Sequence, residues 1–292
     1  FQLLKMDNSK IVLGTVQLGM NYGISNTAGV TTHVEAKKIF KLAKENNLNF
    51  LDTAINYGNS ENIIGITSGF NVITKLPMIP KNLSLNEVEL WINKQIYCSL
   101  ERLKIDKLYG ILLHFPEQLF DANGRKIFEA LSKLKKNKKS DKIGISVYST
   151  KVAEDIINSY EIDIVQMPFN LIDQELLRSG ILPIMKKRNI ELHVRSIFLQ
   201  GLLLIDKKDF PQKFSKWSNI FDNWYEWLID ENISPLDACL SFVDSFNEIN
   251  KVIIGINSSQ QLKQILRCIS KKDLKFPEMY SNDKKLINPS NW

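Results

Sequence analysis

A closed (β/α)8, or TIM, barrel is the architecture that this 292-residue sequence predicts. Apolar, β-type runs alternate with helix-period segments from one end of the chain to the other. Several of those runs are apolar nearly throughout, the pattern of parallel strands covered on both faces. The strand candidates are 11–16, 48–52, 71–75, 108–113, 142–146, 162–167, 190–196 and 251–255. Helical patterns fall at 32–46, 59–66, 84–103, 124–137, 150–159, 175–189, 234–247 and 258–269. Their starts carry capping residues, as at Thr31/Thr32, Ser84, and Ser234 followed by Pro235. An open doubly wound sheet would place a glycine-rich phosphate turn after its first strand. Gly14-Thr15-Val16-Gln17-Leu18-Gly19 has the wrong glycine spacing for one.

Two additions to the barrel are expected. Residues 1–10 read as a short N-terminal hairpin turning at Asp7-Asn8-Ser9. The segment 202–231, rich in Phe and Trp, is too long for a simple loop and reads as an extra helix after strand seven, over the barrel mouth. Its aromatic spacing favours packing over stacking on a sugar. Met20, Asn21 and Tyr22 are placed at the mouth, and the tail from Lys271 onward reads as irregular. The chain as a whole, 1–292, reads as one barrel domain.

With 44% hydrophobic and 24% charged residues, the composition is that of a globular protein with a large core. No apolar run reaches the length of a membrane span, and no signal-peptide core is present, so a cytoplasmic protein is expected. The three cysteines share no metal-like spacing and read as buried free thiols. The net charge of +6 raises the question of nucleic acid. Its excess, however, lies in Lys133, Lys135, Lys136, Lys138, Lys139 and Lys142, at and beyond a helix C-terminus that favours cations, with no interleaved aromatics. No nucleic-acid partner is expected. Three histidines without paired spacing argue against a metal site.

The chemistry is concentrated in four residues. Asp52 ends Asn49-Phe50-Leu51, with Tyr57 just beyond it; Lys75 ends Val72-Ile73-Thr74, and His114 ends Ile111-Leu112-Leu113. On consecutive parallel strands, these side chains converge at the C-terminal rim, where such barrels keep their active sites. Singly, a strand-end aspartate is usually a cap and a lysine a surface residue; together they read as a proton-donating site. A phenol titrates at about 10 and is a poor acid at neutral pH, so a neighbouring cation that lowers its pKa is wanted. Lys75 is the candidate cation, Asp52 its counter-charge, and His114 the group that orients a substrate oxygen.

Across essentially its whole length the chain resembles the aldo-keto reductases. The resemblance rests on Gly14-Thr15 with Leu18-Gly19, on Leu51-Asp52-Thr53-Ala54 through Tyr57-Gly58-Asn59-Ser60-Glu61, on Ile73-Thr74-Lys75 and on Leu112-Leu113-His114. It implies that Asp52, Tyr57, Lys75 and His114 form a catalytic tetrad, with Tyr57 as general acid in carbonyl reduction. It also implies a nicotinamide dinucleotide, NADP(H) ahead of NAD(H), bound without a Rossmann domain and without metal. The cofactor positions so implied are Gly14 and Thr15; Ser146 and Gln166 for the nicotinamide carboxamide; and Gln200 and Gly201 for phosphate. Arg195 and Ser196 stand where the family more often has Tyr-Ser, and Arg195 would stack on the nicotinamide or bind the pyrophosphate. Gly255, Asn257, Ser258 and Gln261 resemble the adenosine-phosphate segment, without the basic residue usual there. The implied reaction interconverts an aldehyde, ketone or keto-sugar and its alcohol, the sugar-related bacterial members being the nearest analogy. The alternative is a non-catalytic nicotinamide-nucleotide sensor on the same fold. Whether the protein is a monomer or a homo-oligomer is left open by the sequence.

Overall fold

Short, β-branched runs form strands because their side chains pack on a pleated surface at little cost in rotamer freedom. A computed structural model describes residues 3–4, 6–24, 26, 29–268, 270–271 and 274–292. In it the runs become β1 (Ile11–Gly14), β2 (Phe50–Asp52), β3 (Asn71–Leu76), β4 (Leu108–Leu113), β5 (Ser140–Ser146), β6 (Ile164–Pro168), β7 (Glu191–Arg195) and β8 (Lys251–Gly255). Each is parallel to its neighbours in chain order, and β8 returns to β1, closing the barrel. Gly14 lies beside Asp52 and Gly255, Asp52 beside Ile73, Ser146 beside Gln166, and Pro168 beside Arg195.

Alternation along the strands separates two environments. Outward residues such as Leu13, Leu51, Ile111, Ile143, Val165 and Val194 join the helices in the main core. Inward, Ile73, Leu112 and Ile164 are completely buried and form a separate apolar plug in the lumen. Near the N-terminal ends of the strands, Glu191 ties together Tyr109, Lys142 and His193. Polar groups occupy the C-terminal end.

The surrounding helices are α1 (His33–Glu45), α2 (Ser60–Ile64), α3 (Leu85–Leu103), α4 (Gly124–Lys136), α5 (Thr150–Ser159), α6 (Ile181–Lys187), α7 (Ser218–Asp230), α8 (Pro235–Asp244) and α9 (Ser259–Arg267). The expected caps are made by Thr32 on Glu35 N and by Ser234 on Asp237 N, while Glu87 accepts from Ser84 N at 2.8 Å. The helical pattern at 175–189 is interrupted: one turn at Glu175–Arg178 ends before Gly180, whose left-handed φ of 76° starts α6. Of the lysines around the end of α4, Lys133 pairs with Glu89 at 2.8 Å and Lys135 with Asp163 at 2.7 Å. Of the cysteines only Cys239 is buried; Cys98 and Cys268 are half-buried, and all three are free thiols.

The N-terminal hairpin is not formed. Leu3–Leu4 pairs antiparallel with Ser270–Lys271, near the other end of the chain. Asp7 instead caps a 3-10 turn at Asn8–Lys10, accepting from Ser9 N at 2.8 Å, and this turn leads straight into β1. The extra segment after β7 is present as three 3-10 turns followed by α7. Its aromatics pack rather than line the mouth: Trp224 is buried, donates to the Leu203 carbonyl at 3.2 Å and stacks on Trp227. Among the described residues no helix is long and apolar enough to cross a membrane.

Candidate active site

The uppermost inward positions of the strands carry Gly14, Asp52, Lys75, Ser146, Gln166, Arg195 and Gly255, and His114 follows β4 directly. All of these line one cavity of about 880 Å³ at the C-terminal end. Its base is an ordered polar chain. Asp52 Oδ2 accepts from Lys75 Nζ at 2.6 Å, and Oδ1 accepts from Gln166 Nε2 at 2.7 Å. Ser146 Oγ donates to Gln166 Oε1 at 3.1 Å, and Lys75 also donates to the Thr53 carbonyl at 2.9 Å. Lys75 is only 2% exposed, so its charge needs these partners. Burial pulls its pKa below the ordinary lysine value, and Asp52 opposes that loss.

Tyr57 is placed by two glycines. The loop holding Gly19 packs so closely on Tyr57 that a Cβ at Gly19 would lie 1.7 Å from the Tyr57 carbonyl oxygen. Gly58 takes φ 52° and approaches the Gly19 carbonyl in the same way. Bulk at either position would displace the phenol. Lys75 Nζ lies 5.2 Å from the centroid of the Tyr57 ring, and the His114 ring meets that ring edge-on at 6.0 Å. No hydrogen bond joins Lys75 Nζ to the Tyr57 hydroxyl among the described residues; the amine's partners are Asp52 and Thr53.

The lowered phenol pKa expected from the sequence is not found. Burial, then the negative charge of Asp52, pushes Tyr57 above the ordinary tyrosine value, with Arg195 opposing. The phenol therefore holds its proton at neutral pH, the state a proton donor requires. Burial, then Lys75 and Arg195, brings His114 down to about 4. Its Nδ1 is buried with no partner. A proton there would be an orphaned buried N–H, so the neutral ring carries its hydrogen on Nε2.

Of the cofactor positions implied by the resemblance, Gly14, Thr15, Ser146, Gln166, Arg195, Ser196, Gln200, Gly201, Gly255, Asn257 and Gln261 all line the cavity. Ser258 does not; its Oγ caps α9 by accepting from Gln261 N at 3.2 Å. Two further N–H groups of that turn are in use as well. Ser259 N donates to Glu35 Oε1 at 2.7 Å, and Asn257 N donates to Gln261 Oε1 at 2.7 Å. Unpaired helix-end donors must find partners, and here the chain supplies its own. These bonds to Ser259 hold the Glu35 carboxyl down at about 2. After β7, Ser196, Leu199 and Gln200 adopt left-handed φ of 58°, 47° and 58° without being glycine. Such strain is costly and is retained where a site needs the shape. The donor set suits a dinucleotide: a buried amide and hydroxyl at the reacting end, backbone turns and polar side chains along the wall. Gln17, on the same wall, has a buried Oε1 with no hydrogen-bond partner.

Sequence reading missed Gln17, Tyr148, Lys213 and Trp292 as wall residues. Gln17 sits in a motif already singled out, and a Cβ at Gly255 would strike its amide at 2.6 Å, so the two positions specify each other. Trp292 reaches the site because the tail folds back, its indole donating to the Leu286 carbonyl at 3.1 Å. Met20 and Tyr22 line the mouth as expected; Asn21 does not. Among the described residues no group of three or more His, Cys, Asp or Glu could hold a metal ion.

The profile of the Aldo/keto reductase family matches residues 10–285, and the chain belongs to that family. Membership supports an oxidoreductase role, and the family generally uses nicotinamide cofactors. The fold is similar to that of the holo form of an aldo-keto reductase from Bacillus halodurans, with 17% identity, a TM-score of 0.70 and coverage of 95% of this chain and 94% of that one. It is also similar to the glycerol dehydrogenase of Gluconobacter oxydans, with 19% identity, a TM-score of 0.66 and coverage of 94% and 91%. No match is found among curated protein sequences.

Proposed function

We propose that this chain interconverts a carbonyl compound (aldehyde, ketone or keto-sugar) and its alcohol, using a nicotinamide dinucleotide, with Tyr57 exchanging the proton. The observation that carries the reading is the fully buried Lys75–Asp52 pair at 2.6 Å under a cavity walled by Tyr57 and His114. A buried ion pair is a weak source of stability, so its place at the base of an open cavity argues for chemistry. Tyr57 donates its hydroxyl proton to the carbonyl oxygen as negative charge develops there, and His114 Nε2–H steadies that oxygen. Asp52 and Gln166 hold Lys75 and the base of the site in one arrangement. Ser146 and Gln166 offer an amide–hydroxyl pair to a carboxamide. When bound, the dinucleotide supplies the hydride to the carbonyl carbon. In the alcohol-forming direction one hydride and one proton are thereby added across the C=O bond.

The pH profile tests the two proton-bearing groups. The raised Tyr57 value keeps the acid form populated until well into the alkaline range, and His114 gains a proton only near about 4. Carbonyl reduction is therefore expected to be level from about pH 5 to about pH 9, while alcohol oxidation, which needs phenolate, rises with pH. A reduction rate that falls through about pH 6.5 would show His114 titrating at its ordinary value.

Fluorescence titration with NADPH and NADH, followed by a screen of aldoses, keto-sugars and small aldehydes, tests the reading directly. NADPH comes first on the family resemblance. The first turn of α9 offers no cation, however, and Glu35 stands at Ser259, so its margin over NADH is expected to be below about tenfold. A margin of about a hundredfold would mean that Lys213 or Lys263 reaches the 2′-phosphate. Tight dinucleotide binding with no turnover of any carbonyl would favour the sensor reading.

A further inference from the structure

Arg195 ends β7 and turns its guanidinium into the cavity beside the catalytic four. The group lies 4.1 Å from the centroid of the Tyr148 ring and donates to the Val147 carbonyl at 3.2 Å. Among the described residues no carboxylate pairs with it. Asp173 lies within electrostatic reach of Arg195 but forms no ion pair with it, and the neighbours at the reacting end add no net charge: Asp52 is matched by Lys75 at 2.6 Å, and His114 and Tyr57 are neutral. Lys213, a third cation on the wall, on the segment after β7, rests against the rings of Phe214 and Trp292.

We propose that Arg195 makes this site discriminate the redox state of a nicotinamide dinucleotide, retaining the reduced form and releasing the oxidised one. The inference rests on the dinucleotide reading above and adds a direction to it. The reduced nicotinamide ring is uncharged and the oxidised ring carries one positive charge; ribose, phosphates and adenine are the same in both. Hydride transfer requires the reacting carbons within about 3–3.5 Å, and the substrate oxygen within hydrogen-bond reach of Tyr57. The ring is thereby confined to the part of the cavity that Arg195 faces. The reach of its charge is visible in the groups already there, since it opposes protonation of His114 and favours deprotonation of Tyr57. A second cation formed in this poorly solvated space is repelled. The reduced ring is not, and the alkoxide that develops on the substrate is attracted. A site so charged favours reduction: it fills with reduced dinucleotide and empties once the ring is oxidised.

The ratio of oxidised to reduced dissociation constants isolates the ring, because contacts to the shared parts of the molecule cancel. It is read by quenching of tryptophan fluorescence, or by calorimetry, with NADPH, NADP+, NADH and NAD+ at pH 7.5, on the wild type and on R195M, R195Q and R195K. The wild type is expected to bind the reduced form about tenfold or more tightly. R195M and R195Q should cut that ratio by about tenfold, chiefly by tightening the oxidised form, while R195K keeps most of it. A wild-type ratio near one overturns the inference, and that result needs no variant to fold. A ratio unchanged in R195M while both affinities fall together also overturns it, placing Arg195 on a phosphate instead. Failure of the wild type to bind any of the four ligands overturns the dinucleotide reading itself.

Discussion

Tyr57→Phe is expected to lower turnover by about 10²–10⁴-fold in both directions while leaving dinucleotide affinity within about twofold. The substitution removes one hydroxyl and keeps the ring, so the edge contact with His114 and the close approach of Gly19 to the Tyr57 backbone survive. Only the transferable proton is lost. Steady-state rates with an aldehyde, beside titration of the cofactor, separate the two effects. Near-wild-type turnover would remove Tyr57 from the chemistry and make His114 the next candidate donor at the cavity wall.

Lys75→Met should act on stability as well as on rate. The amine is buried and accounts for one of the two side-chain hydrogen bonds to Asp52. Its removal leaves a buried carboxylate supported by Gln166 alone, at a cost of about 3–5 kcal/mol. A fall in Tm of roughly 10 °C is expected. The companion Asp52→Asn removes the orphaned charge, so the double variant should recover much of that loss while remaining slow. Calorimetric melting of the three variants checks this. If K75M melts with the wild type, the pair is not the support inferred here.

The barrel was legible because its signal is repeated eight times, and several helix starts carry a capping residue. The four catalytic candidates were legible for a related reason. Strand ends fall where apolar runs stop, so Asp52, Lys75 and His114 could be located without coordinates. Charge balance could not be read in the same way. The expectation that Lys75 would acidify Tyr57 counted Asp52 as the amine's counter-charge but not the burial of the phenol or the direct effect of Asp52 on it, which together push its pKa up. The pairing of the Ser259 N–H at the start of α9 could not be read either, since Glu35 reaches it from 224 positions earlier in the chain. The N-terminal hairpin failed for want of any local cue that Leu3–Leu4 pairs with Ser270–Lys271. Trp292 and Lys213 reach the cavity by tertiary folding of the tail and of the post-β7 segment, which leaves no periodic trace in the sequence.

The three aliphatic side chains stacked inside the barrel, Ile73, Leu112 and Ile164, act as a stopper beneath the polar tier. Above them the cavity lies at the C-terminal end of the barrel. In the proposed reaction, protons exchanged by Tyr57 meet hydrocarbon below and so share the cavity mouth, the doorway for reagents as well. Whatever occupies that doorway sets when the acid can be recharged.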